Sequence, residues 1–210
     1  MRRIEEHQEE TIFDLESAQE YFNSVIKKSK LYRPIIQHIK RLNIRGKYLE
    51  LGSGPCVLTT LLAETIPDIH ITAMDISPYM TEIAKQYIAQ KHLNHRILPV
   101  TGNPTDIKAL NALETYDFVY STYSMHHWKN VANILKNSYR RVRKNGKLVI
   151  VDLKRVRWLY YLPVKNHWFF SSIRASYTLK EIQEIMKQLK INHYQIEEFF
   201  PFSRMIIIDK

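Results

Sequence analysis

Glu50-Leu-Gly52-Ser53-Gly54-Pro-Cys56 and Asp75 are the residues whose types and spacing first suggest chemistry in this chain. Two glycines one residue apart allow φ above zero and let a backbone pass close beneath a ligand, where a Cβ would collide. The stretch follows a short apolar run, Lys47-Tyr-Leu-Glu-Leu51, and precedes a helix-like one. It therefore marks a strand-to-helix turn, the place where open α/β sheets bind nucleotide-like ligands on backbone N–H groups. Asp75 lies 23 residues beyond Gly52, at the end of a second strand-like run. A carboxylate there can accept hydrogen bonds from both hydroxyls of an adenosine ribose. Ser77-Pro78 caps the next helix and so holds Ile76 and Met80 beside the same place, where the two are expected to flank an adenine ring. A dinucleotide dehydrogenase would want a third glycine at position 57, which Val57 occupies.

These residues need a sheet to hold them, and the hydrophobic pattern supplies one. Helix-like and strand-like stretches alternate as helix 57–65, strand 69–74, helix 78–91, strand 96–100, a short helix 107–113, strand 116–120, helix 131–142, the turn Asn145-Gly146 and strand 147–151. Such alternation predicts parallel βαβ units in a doubly wound sheet. Two further strands, Tyr194–Phe199 and Met205–Ile208, are separated by Pro201 and Ser203 and predict a terminal antiparallel hairpin. The expected fold class is thus α/β, a Rossmann-like doubly wound sheet of seven strands, mostly parallel with a C-terminal antiparallel hairpin.

Residues 1–43 read as N-terminal helices, with Ser17-Ala-Gln-Glu20 as a capping box at one helix start. Thr178-Leu-Lys-Glu181 has the same form and opens a late helix. Between them the expectation is one domain over 1–210: a cofactor-binding core at 44–152, an insertion or lid at 153–178, and a C-terminal helix and hairpin at 179–210. The lid stretch places Trp158, Tyr160, Tyr161, Trp168, Phe169 and Phe170 among basic residues. Long connections in compact domains are usually functional, and aromatics on a lid can exclude water.

The chain has 210 residues, 45% hydrophobic and 25% charged, enough for a sizeable core and too polar for general disorder. It shows no run long enough to span a bilayer and no apolar leader. One cysteine excludes an intrachain disulfide, which suits a cytoplasmic location. The net charge of +10 divides into −5 over residues 1–20 and +15 beyond. A basic body of that kind can attract RNA, an acidic membrane surface or an anionic substrate.

Taken in order, the pieces resemble the class I S-adenosylmethionine-dependent methyltransferases, in particular the branch acting on small molecules such as ubiquinone and menaquinone precursors. The likeness covers 47–152 and includes Thr101-Gly102-Asn103, Tyr116-Asp-Phe-Val-Tyr-Ser121 and Val142-Arg-Lys-Asn-Gly146-Lys-Leu-Val-Ile150. The resemblance implies S-adenosylmethionine as cofactor and S-adenosylhomocysteine as product. It also implies that Glu50, Gly52, Ser53 and Gly54 line the methionine part, that Asp75 holds the ribose, and that Gly102, Asn103 and Ser121 complete the site. Cys56 stands where the family carries a third glycine, and Asn103 where it usually carries Asp.

Methyl transfer needs in-line alignment, and a base only when the acceptor must lose a proton. His126 and His127, in Ser121-Thr-Tyr-Ser-Met-His-His-Trp128, are the catalytic candidates, with packing as the competing role. No metal motif is present in their spacing. The expected reaction is transfer to a small organic acceptor, apolar or aromatic. The alternatives are an RNA methyltransferase, suggested by nine basic residues against one acid from Lys136 to Arg157, and a regulatory protein that binds the cofactor without turnover. Membrane contact through 154–170 is a further possibility, since Trp and Tyr interleaved with Lys and Arg suit a headgroup interface.

Overall fold

The computed structural model describes residues 1–4, 14–106, 114–164, 168–199 and 201–210. Seven strands form one sheet: β1 Gly46–Leu51, β2 Ile69–Asp75, β3 Ile97–Thr101, β4 Tyr116–Thr122, β5 Val142–Leu153, β6 Tyr194–Phe199 and β7 Ser203–Asp209. Their spatial order is β3-β2-β1-β4-β5-β7-β6. The first five pair in parallel, and β7 runs antiparallel to both β5 and β6. The expected fold class is the observed one. The chain turns back after β1, so β2 and β4 flank it and a crevice opens at the carboxyl edge of the sheet.

Side-chain alternation along each strand divides the core between the two faces. Tyr48, Phe118, Tyr120, Val149 and Val151 pack with α2 (Arg33–Arg41), α3 (Val57–Thr65) and α4 (Pro78–Gln90) through Ile35, Ile39, Leu62 and Ile88. Leu49, Leu51, Val119, Leu148 and Ile150 pack on the other face with α5 (Val131–Arg141) and α8 (Leu179–Gln188) through Ile134, Leu135, Ile182 and Met186. Both faces of the sheet centre are covered, so β5 and β7 carry continuous apolar runs, at 148–151 and 205–208.

Three details differ from the sequence reading. Helix α1 (Leu15–Lys27) starts earlier than the Ser17 box: Asp14 is its cap and accepts from the Ser17 amide at 2.7 Å. Ser17 thus serves as the donor at the third helical position. The Asn145-Gly146 turn lies inside β5, where Val142 pairs with Tyr116 and Lys147 with Phe118, so the extra residues bulge and Asn145 takes φ 66°. Residues 1–4 are not helical; the Ile4 amide donates to Arg174 of α7 (Trp168–Ala175) at 3.2 Å. The short helix expected at 107–113 lies outside the described residues. The Thr178 capping box is present as expected, with both of its reciprocal bonds.

Gly46 opens β1 at φ 99°, and a Cβ there would overlap the Asp117 carboxylate, which accepts the Lys47 amide at 2.7 Å. Gly46→Ala is expected to destabilise the chain by about 1–3 kcal/mol, from backbone strain and crowding together. Thermal or urea unfolding checks this.

Candidate functional site

The turn from β1 to α3 is tied to the end of β2. The Met74 carbonyl accepts the Gly52 amide at 2.8 Å and the Ser53 amide at 3.0 Å, and Asp75 Oδ2 accepts the Gly54 amide at 2.7 Å. These amides are turned into the protein, so the turn is held by β2 and not left open to donate to a ligand. Gly52 and Gly54 have φ of 72° and 53°. A Cβ on Gly52 would collide with the Ser124 hydroxyl, so glycine is needed there for close approach. Cys56, where the family has glycine, also takes the left-handed conformation, at φ 58° and ψ 30°. Its thiol is buried, which pushes its pKa up to about 12 and leaves it unreactive at neutral pH.

Glu50 is 1% exposed and its Oε2 accepts from Thr59 Oγ1 and Tyr120 Oη. Burial raises its pKa to about 7 against the pull of those two hydroxyls, and the charge of Asp75 adds to the rise. Thr59 lies one turn into α3 and Tyr120 on β4, so three elements converge on one carboxyl group. Neither partner was singled out from sequence, where a Thr in an apolar helix and a Tyr in a strand carry no signal.

Asp75 has each oxygen engaged by one amide, Gly54 on Oδ2 and Ser77 on Oδ1 at 2.9 Å. Each oxygen keeps a lone pair that a ribose hydroxyl can meet. Burial raises the Asp75 pKa, opposed by these amides and by His127. Ile76 is 55% exposed beside it, an open apolar face of the kind an adenine would cover. Met80 is buried and packs with Ala18 and Ile83 beneath α1. The Gly102 amide donates to the Asp75 carbonyl at 2.8 Å, which joins the ends of β2 and β3. The Asn103 carbonyl oxygen accepts from the Thr105 amide and hydroxyl at 2.9 and 2.7 Å, a local turn. Ser121 Oγ donates to the Leu51 carbonyl at 2.7 Å and locks β4 to β1.

Past β4, His126 is 3% exposed; its Nδ1 lies 2.6 Å from Asp152 Oδ1 and its amide donates to Asp152 Oδ2 at 2.7 Å. The His127 ring lies against that of His126, centroids 4.1 Å apart, and His127 is exposed. Asp152 is the penultimate residue of β5, one position past the strand expected at 147–151. Trp158 and Tyr161 are 60% and 65% exposed on and after α6 (Arg157–Tyr160), whereas Leu159 and Ile173 are buried. Phe202 gathers Trp158 and Phe169 about it at centroid distances of 6.0 and 5.8 Å. The Trp168 side chain lies outside the described residues. Among those residues no group of three His, Cys, Asp or Glu side chains is placed to hold a metal, and no helix is long and apolar enough to cross a membrane.

Residues 49–150 match the methyltransferase-domain family. Demethylmenaquinone methyltransferase from Geobacillus is 27% identical over 131 residues, 59% of this chain and 55% of its own length. Malonyl-[acyl-carrier protein] O-methyltransferase from Bacillus cereus is 29% identical over 165 residues, 78% of this chain and 53% of its own length. The chain thus spans about half the length of these curated relatives. A crystal structure from Methanococcus maripaludis, assigned as an S-adenosylmethionine-dependent methyltransferase, superposes with a TM-score of 0.75 at 26% identity, covering 99% of this chain and 97% of that one. Over its core and in its fold the chain is thus similar to S-adenosylmethionine-dependent methyltransferases. Their cofactor fits the residues present: a glycine turn without room for a Cβ, and a carboxylate with lone pairs left to accept from a ribose.

The raised pKa of Glu50 has a definite sign in folding. The folded chain retains a proton that the unfolded chain releases above 4.5, so this contribution is present at low pH and is lost as pH rises toward 7. Its size is at most about 3 kcal/mol. Thermal melts at pH 5 to 8 are expected to show the wild type losing stability relative to Glu50→Gln across that interval. A constant difference would show that Glu50 is ionised throughout.

Proposed function

We propose that the protein transfers the methyl group of S-adenosylmethionine to a small organic acceptor bound over β4 and β5. The observation that carries this reading is the β1 turn held against Asp75 at the carboxyl edge of the sheet. The methionine end of the cofactor would lie along Gly52–Gly54 near Glu50, its ribose on Asp75 and its adenine against Ile76, with Met80, Gly102, Asn103 and Ser121 shaping the surrounding wall. The names of the relatives, a menaquinone-precursor and a malonyl-carrier methyltransferase, support a small acceptor group.

When bound, the cofactor supplies an electrophilic methyl group. The protein's part is alignment and exclusion of water. Asp152 fixes the ring of His126 through Nδ1, which suits that ring to the part of a positioned base beside the β4 end. Residues 153–178 form the lid in this reading, and Trp158 and Tyr161 are its exposed aromatic rim.

Incubation with methyl-labelled S-adenosylmethionine, with phenols and quinols in one series and total RNA in another, tests the reading. Label is expected in a small organic product. Label in RNA alone would transfer the assignment to the basic surface, and binding without transfer to any acceptor would favour a regulatory role. Asp75→Ala is expected to weaken S-adenosylhomocysteine binding roughly 10- to 150-fold in calorimetry, the loss of charge-assisted hydrogen bonds. Trp158→Ala combined with Tyr161→Ala is expected to leave the melting temperature and cofactor affinity unchanged while raising KM. Loss of liposome association with unchanged KM would instead assign those rings to a membrane surface.

A further inference from the structure

Beside the base of the 154–177 segment cations and anions are interleaved, with Asp152 opposite Arg204 in the β5–β7 register. Lys154, Arg155 and Arg204 meet Glu181 and Glu198, and the Arg3 guanidinium lies 4.6 Å from the centre of the Tyr177 ring. Lys154 and Arg204 share Glu198 at 2.6 and 2.7 Å, and Arg204 also donates to the Tyr177 carbonyl. Arg155 differs from the rest. Its side chain is 0% exposed, its Nη2 contacts both oxygens of Glu181, and its Nε and Nη1 are buried with no hydrogen-bond partner among the described residues.

Glu181 cannot readily turn to cover those two nitrogens. Its Oε2 also accepts from the Thr178 amide at 2.7 Å and hydroxyl at 2.8 Å, the capping box that starts α8. Satisfying Nε and Nη1 from Glu181 would uncap the helix. Buried polar groups nearly always have partners, so orphaned N–H donors on a charged group require an explanation. A water molecule could accept from them, but without the charge assistance that a carboxylate brings.

We propose that Arg155 anchors a carboxylate carried by the methyl acceptor. The proposal rests on the methyltransferase reading and narrows its substrate to organic acids. Arg155 lies three residues past Asp152, the residue that holds His126, so the anchor and the proposed base leave the same strand end. A carboxylate accepting from Nη1 or Nε would be removed from water together with the guanidinium, where charge-assisted hydrogen bonds are strong. Oxygens engaged in that way are poor nucleophiles, so the carboxylate is a handle and another atom of the acceptor receives the methyl group. Arg155 is thus a positioning and specificity residue.

Saturation-transfer NMR on protein loaded with S-adenosylhomocysteine tests this with benzoate, phenylacetate and octanoate, each beside its primary amide. Wild type, Arg155→Lys and Arg155→Met are compared, with calorimetric S-adenosylhomocysteine affinity and melting temperature measured for each. The acids are expected to bind at least roughly 10-fold tighter than the amides in wild type. Arg155→Met should lose that preference with cofactor affinity unchanged, and Arg155→Lys should keep part of it. Equal binding of acid and amide to wild type, no binding of any of the acids, or an acid preference that survives in Arg155→Met overturns the proposal. The wild-type comparison decides even if a variant fails to fold. Absence of S-adenosylhomocysteine binding to wild type would instead overturn the cofactor assignment.

Discussion

The carboxyl end of β2 holds the cofactor edge of this protein together. Met74 offers one carbonyl to two successive amides, those of Gly52 and Ser53, and Asp75 receives the next, that of Gly54. Three hydrogen bonds therefore fix the β1 turn against its neighbouring strand before any ligand arrives. The positive φ angles at Gly52, Gly54 and Cys56 belong to that arrangement, and at Cys56 a side chain tolerates what glycine does in the family. The bond geometry also explains why an acid can be kept at Asp75 despite its burial: the amides of Gly54 and Ser77 stabilise its charged form.

The N-terminal residues connect this edge with the segment that follows β5. Arg3 donates from Nε to the Ala175 carbonyl at 2.6 Å and from Nη2 to the His126 carbonyl at 2.8 Å. The Arg2 carbonyl accepts from Tyr160 Oη at 3.0 Å. Within α7, Arg174 donates to the carbonyls of Tyr160, Leu162 and Val164, so one guanidinium closes the loop between α6 and α7. Farther along, Tyr21 of α1 lies 3.9 Å from where a Cβ of Gly54 would stand. Segments at opposite ends of the chain thus border both halves of the crevice.

Most of the sheet was legible because parallel strands and their helices write their periods directly into hydrophobic spacing. Thr178-Leu-Lys-Glu181 was legible for the same local reason, since a capping box is complete within four residues. Ser17-Ala-Gln-Glu20 satisfied the same pattern and misled, because Asp14 three residues upstream caps the helix first and its carboxylate accepts the Ser17 amide, which places Ser17 inside the helix. Gly52, Gly54 and Asp75 could be read from spacing alone. Thr59 and Tyr120 on Glu50, Asp152 on His126 and Glu181 on Arg155 could not. Those pairings join residues 9 to 70 positions apart, and only the register of the sheet and the seating of the helices bring them together.

That register also separates the charges along the carboxyl edge. Burial raises the pKa of the Glu50 carboxyl near the end of β1, and the charge of Asp75 at the end of β2 adds to the rise, so the site there gains when a cation enters. Lys154, Arg155 and Arg204 stand on the other side of β4, after β5 and at the start of β7, where the unpartnered nitrogens favour an anion. Between them lies the β4 end with Ser124 and His126, the latter held by Asp152 of β5. A cationic methyl donor and an anionic acceptor would each be drawn to its own half by a field that the fold fixes in advance. Electrostatics sets approach and orientation more than affinity, and in-line transfer depends on orientation above all. The central strand is therefore where the two reactants would meet, and the acids and bases on either side need not touch the transferred group to decide how it is presented.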